Sequence, residues 1–317
     1  RESRLPVSDA NRGAAWADAE IEKKPQLRGP LEYREAVEKL WDAGLPPGDK
    51  TGWPSVDKHY TVAPGQLSVI TGWPSSGKSE WLDALMMNLY RQSWKFAVFS
   101  AENMPVETHL AKLLEKLSGA PFGTGAHPRI ERDSIGESLD EMNQAFMFIS
   151  PRADLVSLPS IVACAEKWLL ADDGRKPGIV IDPWNELDHW RDRTYSETEY
   201  ISQSLSFLRN WARANQVHAW IVAHPAKQRR DDAGKLPVPT PDMISGSQNW
   251  WNKADCAITI HRDLKDLESR VVDIYVQKIR FKHVGYPGRV SLTYDRVTGR
   301  YFEPRQSALY AVAKDGE

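Results

Sequence analysis

Eight consecutive residues can do phosphate chemistry: Gly72-Trp73-Pro74-Ser75-Ser76-Gly77-Lys78-Ser79 fits the pattern GxxxxGK[ST]. In such a loop the backbone N–H groups of Gly72, Ser75, Ser76 and Gly77, with the helix N-terminus behind them, surround phosphate oxygens. Lys78 reaches the β and γ phosphates, and the Ser79 hydroxyl ligates Mg²⁺. ATP or another NTP with Mg²⁺ is the expected ligand. Three more polar residues end apolar runs. Asp182 closes GIVIDP, where ligands bind at the carboxyl ends of parallel strands, and is expected to hold Mg²⁺ through water. Glu102 closes KFAVFSAE and can polarise an attacking water as general base, with Glu107 as competitor inside the following helical pattern. His224 closes HAWIVAH, where it can hydrogen-bond a γ-phosphate and report its loss to the next loop.

Those residues need a frame. Short apolar runs at 67–72, 95–102, 145–150, 178–183, 218–224, 256–262 and 271–280 read as strands. Helical patterns at 78–92, 105–118, 157–171 and 196–214 separate several of them. Near-continuous apolar strands alternating with helices predict an α/β fold with a mostly parallel sheet covered on both faces. Runs 256–262 and 271–280 are joined too briefly for a helix, so they should form an antiparallel hairpin that 289–304 extends, with Thr298-Gly299 at a turn.

Upstream, residues 1–30 are polar and aperiodic and read as a flexible arm or linker. Residues 31–44 differ: Leu31, Ala36, Val37, Leu40 and Trp41 give a helical apolar stripe, closed by Gly44 and Pro46-Pro47. That stripe must be covered by its own domain or by a neighbouring subunit. The expected organisation is an arm at 1–30, a linker helix region at 31–47, one large domain at 48–305 and a tail at 306–317.

Composition bounds the class. Among 317 residues, 41 Lys and Arg face 43 Asp and Glu, and 41% of residues are hydrophobic. This balance excludes collagen-like, wholly disordered and membrane-spanning chains and a uniformly basic coat, but leaves room for a local basic channel. Cys164 and Cys256 alone make neither a disulfide framework nor a zinc site, so a reducing compartment is expected. A bacterial or phage-infected cytoplasm is the expected location, with a mitochondrial or other organellar origin left open. The first residue is Arg and no signal peptide follows, so the chain is expected to be a fragment of something longer. The long polar loop at 225–246 carries Lys227, Arg229, Arg230 and Lys235, a cluster suited to nucleic-acid phosphates unless it is an ordinary solvated loop. Trp250 and Trp251 can stack bases, though core packing is the plainer use.

The ordered set resembles a family: ring-forming replicative helicases with a RecA-like P-loop NTPase motor, of the phage primase-helicase, mitochondrial Twinkle and bacterial replicative types. The resemblance covers about residues 30–304 and rests on the phosphate loop, FSAEN around Glu102, IVIDPWNEL around Asp182, IVAHPAK around His224, SGSQNWWNKADCAITIHRD at 245–263, QKIRF at 277–281 and LTYDRVTGRYFEP at 292–304. It implies that Glu102 is the catalytic base and His224 the γ-phosphate sensor. Lys278 and Arg280, otherwise strand-end surface charges, match a Lys-x-Arg whose arginine acts as a finger on ATP held by the next subunit. Arg262 and Tyr294 match positions that sandwich the adenine. Loops near 225–246 line the channel for one DNA strand. With no Arg in Asp242-Met243-Ile244, backbone amides near Gly246 are the expected contact there. The implied whole is an ATP-dependent 5′–3′ motor on single-stranded DNA, a hexamer or heptamer of itself, joined to an N-terminal primase or primase-like domain outside this fragment. A recombinase or clock-type switch ATPase that binds DNA or protein without unwinding, a binding module without turnover, and a small-molecule kinase are the rivals.

Overall fold

The computed structural model describes residues 27–150, 156–189, 195–226, 237–246, 248–263, 266 and 268–304. The chain divides into two units, 1–46 and 47–317. In the first, a 3-10 turn Pro30–Tyr33 leads into α1 (Arg34–Ala43), which ends at Gly44 with φ of 75°. The helix buries none of its side chains, and Leu31, Val37 and Trp41 of its stripe are all more than half exposed.

The second unit is built on one nine-stranded sheet in the order β3-β2-β4-β5-β1-β6-β7-β8-β9. The strands are β1 (Leu67–Thr71), β2 (Trp94–Ser100), β3 (Phe146–Phe148), β4 (Lys176–Asp182), β5 (His218–Val222), β6 (Cys256–His261), β7 (Val271–Ile279), β8 (Gly288–Tyr294) and β9 (Tyr301–Phe302). The first six run parallel, and β7, β8 and β9 continue the sheet antiparallel, as the short connections demand. The apolar runs therefore became strands, although 145–150 shrank to three paired residues.

The helices are α2 (Pro54–Asp57), α3 (Lys78–Tyr90), α4 (Val106–Ser118), α5 (Arg132–Asn143), α6 (Leu158–Leu169), α7 (Glu197–Asn215) and α8 (Asn249–Lys253). Local chemistry sets their ends. Ser196 and Glu199 form a reciprocal capping box at the start of α7, with Ser196 N–H to Glu199 Oε2 at 2.8 Å and Glu199 N–H to Ser196 Oγ at 3.3 Å. Gly119 closes α4 in the left-handed conformation. Helix α5 was not expected from the sequence. It is polar, contains Gly136 and buries Met142 alone, so it shows little apolar periodicity.

Two cores result, one on each face. Residues of α3, α4 and the antiparallel strands build the first around Trp81, Trp94 and Trp220; α6 and α7 cover the second around Ile179, Leu205 and Trp250. Trp250 is fully buried and meets Trp184 edge-on at 5.4 Å, so it serves the core and not base stacking. Gly178 in β4 shows how tightly the first core is filled: an added Cβ would lie 2.7 Å from Trp220 Cζ3 and 3.1 Å from Phe96 Cδ1. Gly178→Ala is expected to lower unfolding stability by about 1–3 kcal/mol through overpacking. A urea titration showing a change within about 0.5 kcal/mol would contradict this account of the core.

Candidate nucleotide site

The carboxyl ends of the parallel strands meet at one edge. Ser100 is paired with Asp182, and Thr71 with Thr259, so the loops after β1, β2, β4, β5 and β6 leave the sheet side by side. The phosphate loop follows β1. An added Cβ at Gly72 would stand 2.3 Å from Ile260 O and 2.6 Å from Ser76 Oγ, so glycine is required by the close approach to β6. Gly77 at the head of α3 has φ of 92°, the left-handed conformation open to glycine. Ser75 also has positive φ, 63°. Among the described residues the buried Ser76 hydroxyl has no hydrogen-bond partner, in the loop that would surround phosphate.

Lys78 is buried and bends back to donate to Trp73 O at 3.3 Å. Burial holds its ammonium below the ordinary lysine value, and Asp182 and Glu102 act against that. Asp182, at the tip of β4, is 3% exposed. Burial is the main force pushing its carboxyl up to about 6; the Ser79 hydrogen bond and Lys78 lower it, while Asp83 and Glu102 add to the rise. Its Oδ1 is buried without a hydrogen-bond partner among the described residues. A carboxylate beside a serine hydroxyl, with an unfilled oxygen and a phosphate loop next to it, fits Mg²⁺, which takes few protein ligands and shares phosphate oxygens. Among the described residues no group of three or more His, Cys, Asp and Glu forms a separate metal cluster.

Glu102 lies in the turn two residues beyond β2 and not in the strand itself, and is 46% exposed at its side chain. Its Oε1 is 3.3 Å from His224 Nε2. His224 sits just past β5, and its backbone N–H donates to Asn185 Oδ1 at 2.9 Å. Burial first, then Lys78, holds the imidazole below its usual value, against Glu102 and Glu186. The turn carrying Glu102 is tied down from beneath. Asn103 donates to Ser100 Oγ at 2.9 Å, and Lys112 donates to Asn103 Oδ1 at 3.0 Å while ion-pairing with Glu80 of α3. Asn103, Lys112 and Asn185 were not singled out in the sequence. The two asparagines stand inside motifs quoted for other residues, and no local spacing announces their partners.

Tyr294 ends β8 and its hydroxyl meets Glu80 Oε2 at 3.5 Å; Tyr301, 5.1 Å from it ring to ring, reaches Gly77 O at 3.5 Å. Arg262 follows β6 at the same edge, and its charge acts on the Tyr301 phenol. Both candidates for the adenine thus stand on the phosphate-loop side. Lys227, Arg229, Arg230 and Lys235 lie outside the described residues. The stem of their loop is held: Ala226 N–H donates to Met243 O, Trp73 Nε1 to Pro237 O, and Thr259 and Gln277 both donate to Pro239 O. Gly246, with φ of 89°, sits against the first turn of α7, where Thr198 donates to its carbonyl at 2.9 Å.

Lys278 and Arg280 are at the opposite edge. Cys256, at the start of β6, pairs with both Ser68 of β1 and Ile279 of β7. A strand of five residues therefore separates them from their own phosphate loop, roughly 15 Å along the sheet.

Sheet order, the loop after β1 and the acid at the tip of β4 define a RecA-like nucleotide-binding domain. The chain belongs to the DnaB-like helicase C-terminal domain family, whose model matches residues 48–303. It is 42% identical over 264 residues to the Twinkle homolog protein, chloroplastic/mitochondrial, of Arabidopsis thaliana, covering 80% of this chain and 36% of that protein. Its fold is similar to that of a solved ATPase domain (TM-score 0.71, 18% identity, 88% of this chain and 99% of that one). It is also similar to a DnaB-like replicative helicase described with its interactions with primase (TM-score 0.69, 19% identity, 94% and 72%). Among the described residues no helix is long and apolar enough to cross a membrane.

The raised Asp182 carboxyl has a sign that can be checked. At low pH the group is neutral folded and unfolded and costs nothing; the cost builds as pH rises from the ordinary carboxylate value, where the unfolded chain ionises, to the folded value of about 6, and is complete above it. Asp182→Asn should therefore be more stable than the parent at pH 7.5 without nucleotide or Mg²⁺, by on the order of 2 kcal/mol. The gain should shrink towards pH 4.5, and Mg²⁺-dependent nucleotide binding should be lost. Calorimetry at both pH values tests this, and a destabilised variant at pH 7.5 would refute it.

Proposed function

We propose that this chain is the ATP-driven motor of a ring-shaped replicative DNA helicase, moving on single-stranded DNA in the 5′–3′ direction. The observation that carries the reading is the separation of the two sets of charged residues. Lys78, Ser79, Asp182, Glu102 and His224 gather at one edge of the sheet, while Lys278 and Arg280 stand at the other. Arg280 cannot reach a nucleotide on its own loop, but in a ring each subunit can present that edge to its neighbour's loop. A cation supplied across the boundary makes hydrolysis depend on assembly and neutralises transition-state charge.

Each residue then has a task. Backbone amides of Gly72 and Ser75–Gly77 hold the phosphates, with the Ser76 hydroxyl as an added donor. Lys78 neutralises β and γ oxygens. Ser79 and Asp182 hold Mg²⁺, which supplies Lewis-acid neutralisation of the phosphates when bound. Glu102 accepts the proton of the attacking water, and His224, whose Nε2 is 3.3 Å from Glu102 Oε1, hydrogen-bonds the γ-phosphate. Arg262 and Tyr294 face the adenine. The loop at 225–246, held through Trp73 and the His224 stem, carries Lys227, Arg229, Arg230 and Lys235 to the DNA phosphates, with backbone near Gly246 beside them. The apolar stripe of α1 packs on an adjacent copy of a hexamer or heptamer, linking the motor to a primase or primase-like domain. Free Cys164 and buried Cys256 suit a reducing compartment, a bacterial or phage-infected cytoplasm or an organelle alike.

Forked DNA with a 5′ or a 3′ tail, ATP, Mg²⁺ and protein sized by light scattering tests the reading. Unwinding by a ring-sized species that requires the 5′ tail is expected. DNA-stimulated hydrolysis without unwinding by an assembled species would move the chain to the switch or recombinase class. Arg280→Ala should lose about a thousandfold or more in turnover while still binding ATP, whereas Lys78→Ala should weaken nucleotide binding itself. Parent-like turnover in Arg280→Ala would remove the finger assignment.

A further inference from the structure

Arg280 is not alone at its edge. Asp255, fully buried, links α8 to β6 and gathers cations around it. Its Oδ1 accepts from Arg280 Nε at 2.8 Å and from Arg213 Nη2, at the end of α7, at 2.7 Å. Its Oδ2 accepts the backbone N–H of Leu67, the first residue of β1, at 3.1 Å. Lys278 Nζ donates to Trp251 O, Arg280 Nη2 to Asn252 O, and Arg209 Nη1 to Lys253 O, so the end of α8 is ringed by cations. They feel one another: burial first, then Arg280, holds Lys278 below its ordinary value, and burial first, then Arg213, does the same for Arg209. Asp255 is the carboxylate that opposes both shifts.

Four cations around one buried carboxylate leave a surplus of positive charge. Lys278 and Arg209 are taken up by the carbonyls that end α8, whereas Arg213 and Arg280 both rest on the one carboxylate oxygen. Arg213 and Arg280 also remain partly open to solvent, at 39% and 34% of their side chains. Two guanidinium groups sharing a single acceptor oxygen are fixed relative to each other. Each is permanently charged, weakly hydrated and shaped for phosphate oxygens.

We infer that Arg213 is a second phosphate-contacting cation beside Arg280, acting on the nucleotide of an adjacent copy of this chain, and that Asp255 is the positioning residue for both. This rests on the proposed trans role of Arg280. The same chemistry would suit a nucleic-acid phosphate, so the experiment separates the two sources.

DNA-stimulated ATP hydrolysis is measured on assembled protein. Arg213→Gln is expected to lower kcat about a hundredfold, the loss seen when one preorganised donor to transition-state charge is removed. KM for ATP should hardly move, because the contact matters most in the transition state. Asp255→Asn keeps the shape and can still accept the Leu67 N–H; it should reproduce the kcat loss at unchanged KM. Mixing Arg213→Gln with Lys78→Ala copies should restore turnover above the sum of the two, since the Lys78→Ala copy lends its Arg213 to an intact loop. Such recovery also shows that Arg213→Gln folds. Mixing Arg280→Ala with Lys78→Ala runs beside it. Recovery there with none in the Arg213 pair overturns this inference and leaves the Arg280 reading intact; recovery in neither pair removes both. Fluorescence anisotropy of single-stranded DNA without nucleotide should be the same for Arg213→Gln and parent. Weakened DNA binding at unchanged kcat would assign the cluster to nucleic acid and overturn the inference.

Discussion

Two carboxylates buried at opposite ends of one parallel sheet set the terms for the rest of the molecule. A charge taken out of water costs several kcal/mol unless partners replace its hydration. Asp182 has the Ser79 hydroxyl and the nearby Lys78, yet burial still pushes it up to about 6 and one oxygen stays unfilled. It is under-compensated, and with Ser79 it would hold a divalent cation, which would supply the missing positive charge. Asp255 has two guanidinium groups and a backbone amide. It is over-compensated, and the surplus faces outward. At one edge a carboxylate oxygen is left without a partner among the described residues, and at the other a single carboxylate oxygen holds two guanidinium groups.

Strand β1 connects the two edges physically. Its first residue donates to Asp255, and its last, Thr71, hands the chain to the phosphate loop and donates to Ala223 O at 2.8 Å, next to His224. The loop is therefore seated on a strand pinned at both ends. The stem of the 225–246 loop shares those fixtures. Trp73, inside the phosphate loop, holds Pro237, and Thr259, opposite Thr71, holds Pro239. Nucleotide contacts and the base of the proposed DNA loop thus rest on the same few atoms.

How much of this was legible in the sequence depended on whether a signal was local. Apolar runs such as GIVIDP and HAWIVAH marked β4 and β5 because strands buried on both faces have little choice of residue. The phosphate loop was readable because its glycines answer to steric demands within a few residues, as the approach of Gly72 to Ile260 shows. The place of Asp182 followed from closing an apolar strand. Helix α5 was missed because a polar helix that buries one methionine has almost no period. Asp255 was missed for another reason. It opens its strand, an unremarked place for an acid, and its partners come from α7 and β7. Only the antiparallel return of β7 along β6, with Cys256 opposite Ile279, brings them together. Chemistry within one loop is written in spacing, but chemistry between loops is written in topology.

That topology bears on why such a domain would act in assemblies. A parallel sheet collects nucleotide ligands at its carboxyl edge, and any residue on the same chain that ends an antiparallel return falls at the other edge. Placing Arg280 there removes it from the chain's own nucleotide by the length of β1. A monomer of this fold would then retain the phosphate loop, the metal acid and the base, and lack the cation that stabilises the transferring phosphoryl group. On the proposed role of Arg280, distance alone would silence hydrolysis in such a monomer. In the proposed ring, copies would meet edge to edge and the Arg280 side of one would complete the phosphate site of the next. The energy of phosphate binding would then be spent at a subunit boundary, where a change in the nucleotide can shift one copy against another. A motor that must pull a strand through a ring needs its chemistry there, and a single enclosed site within one chain would have no neighbour to move.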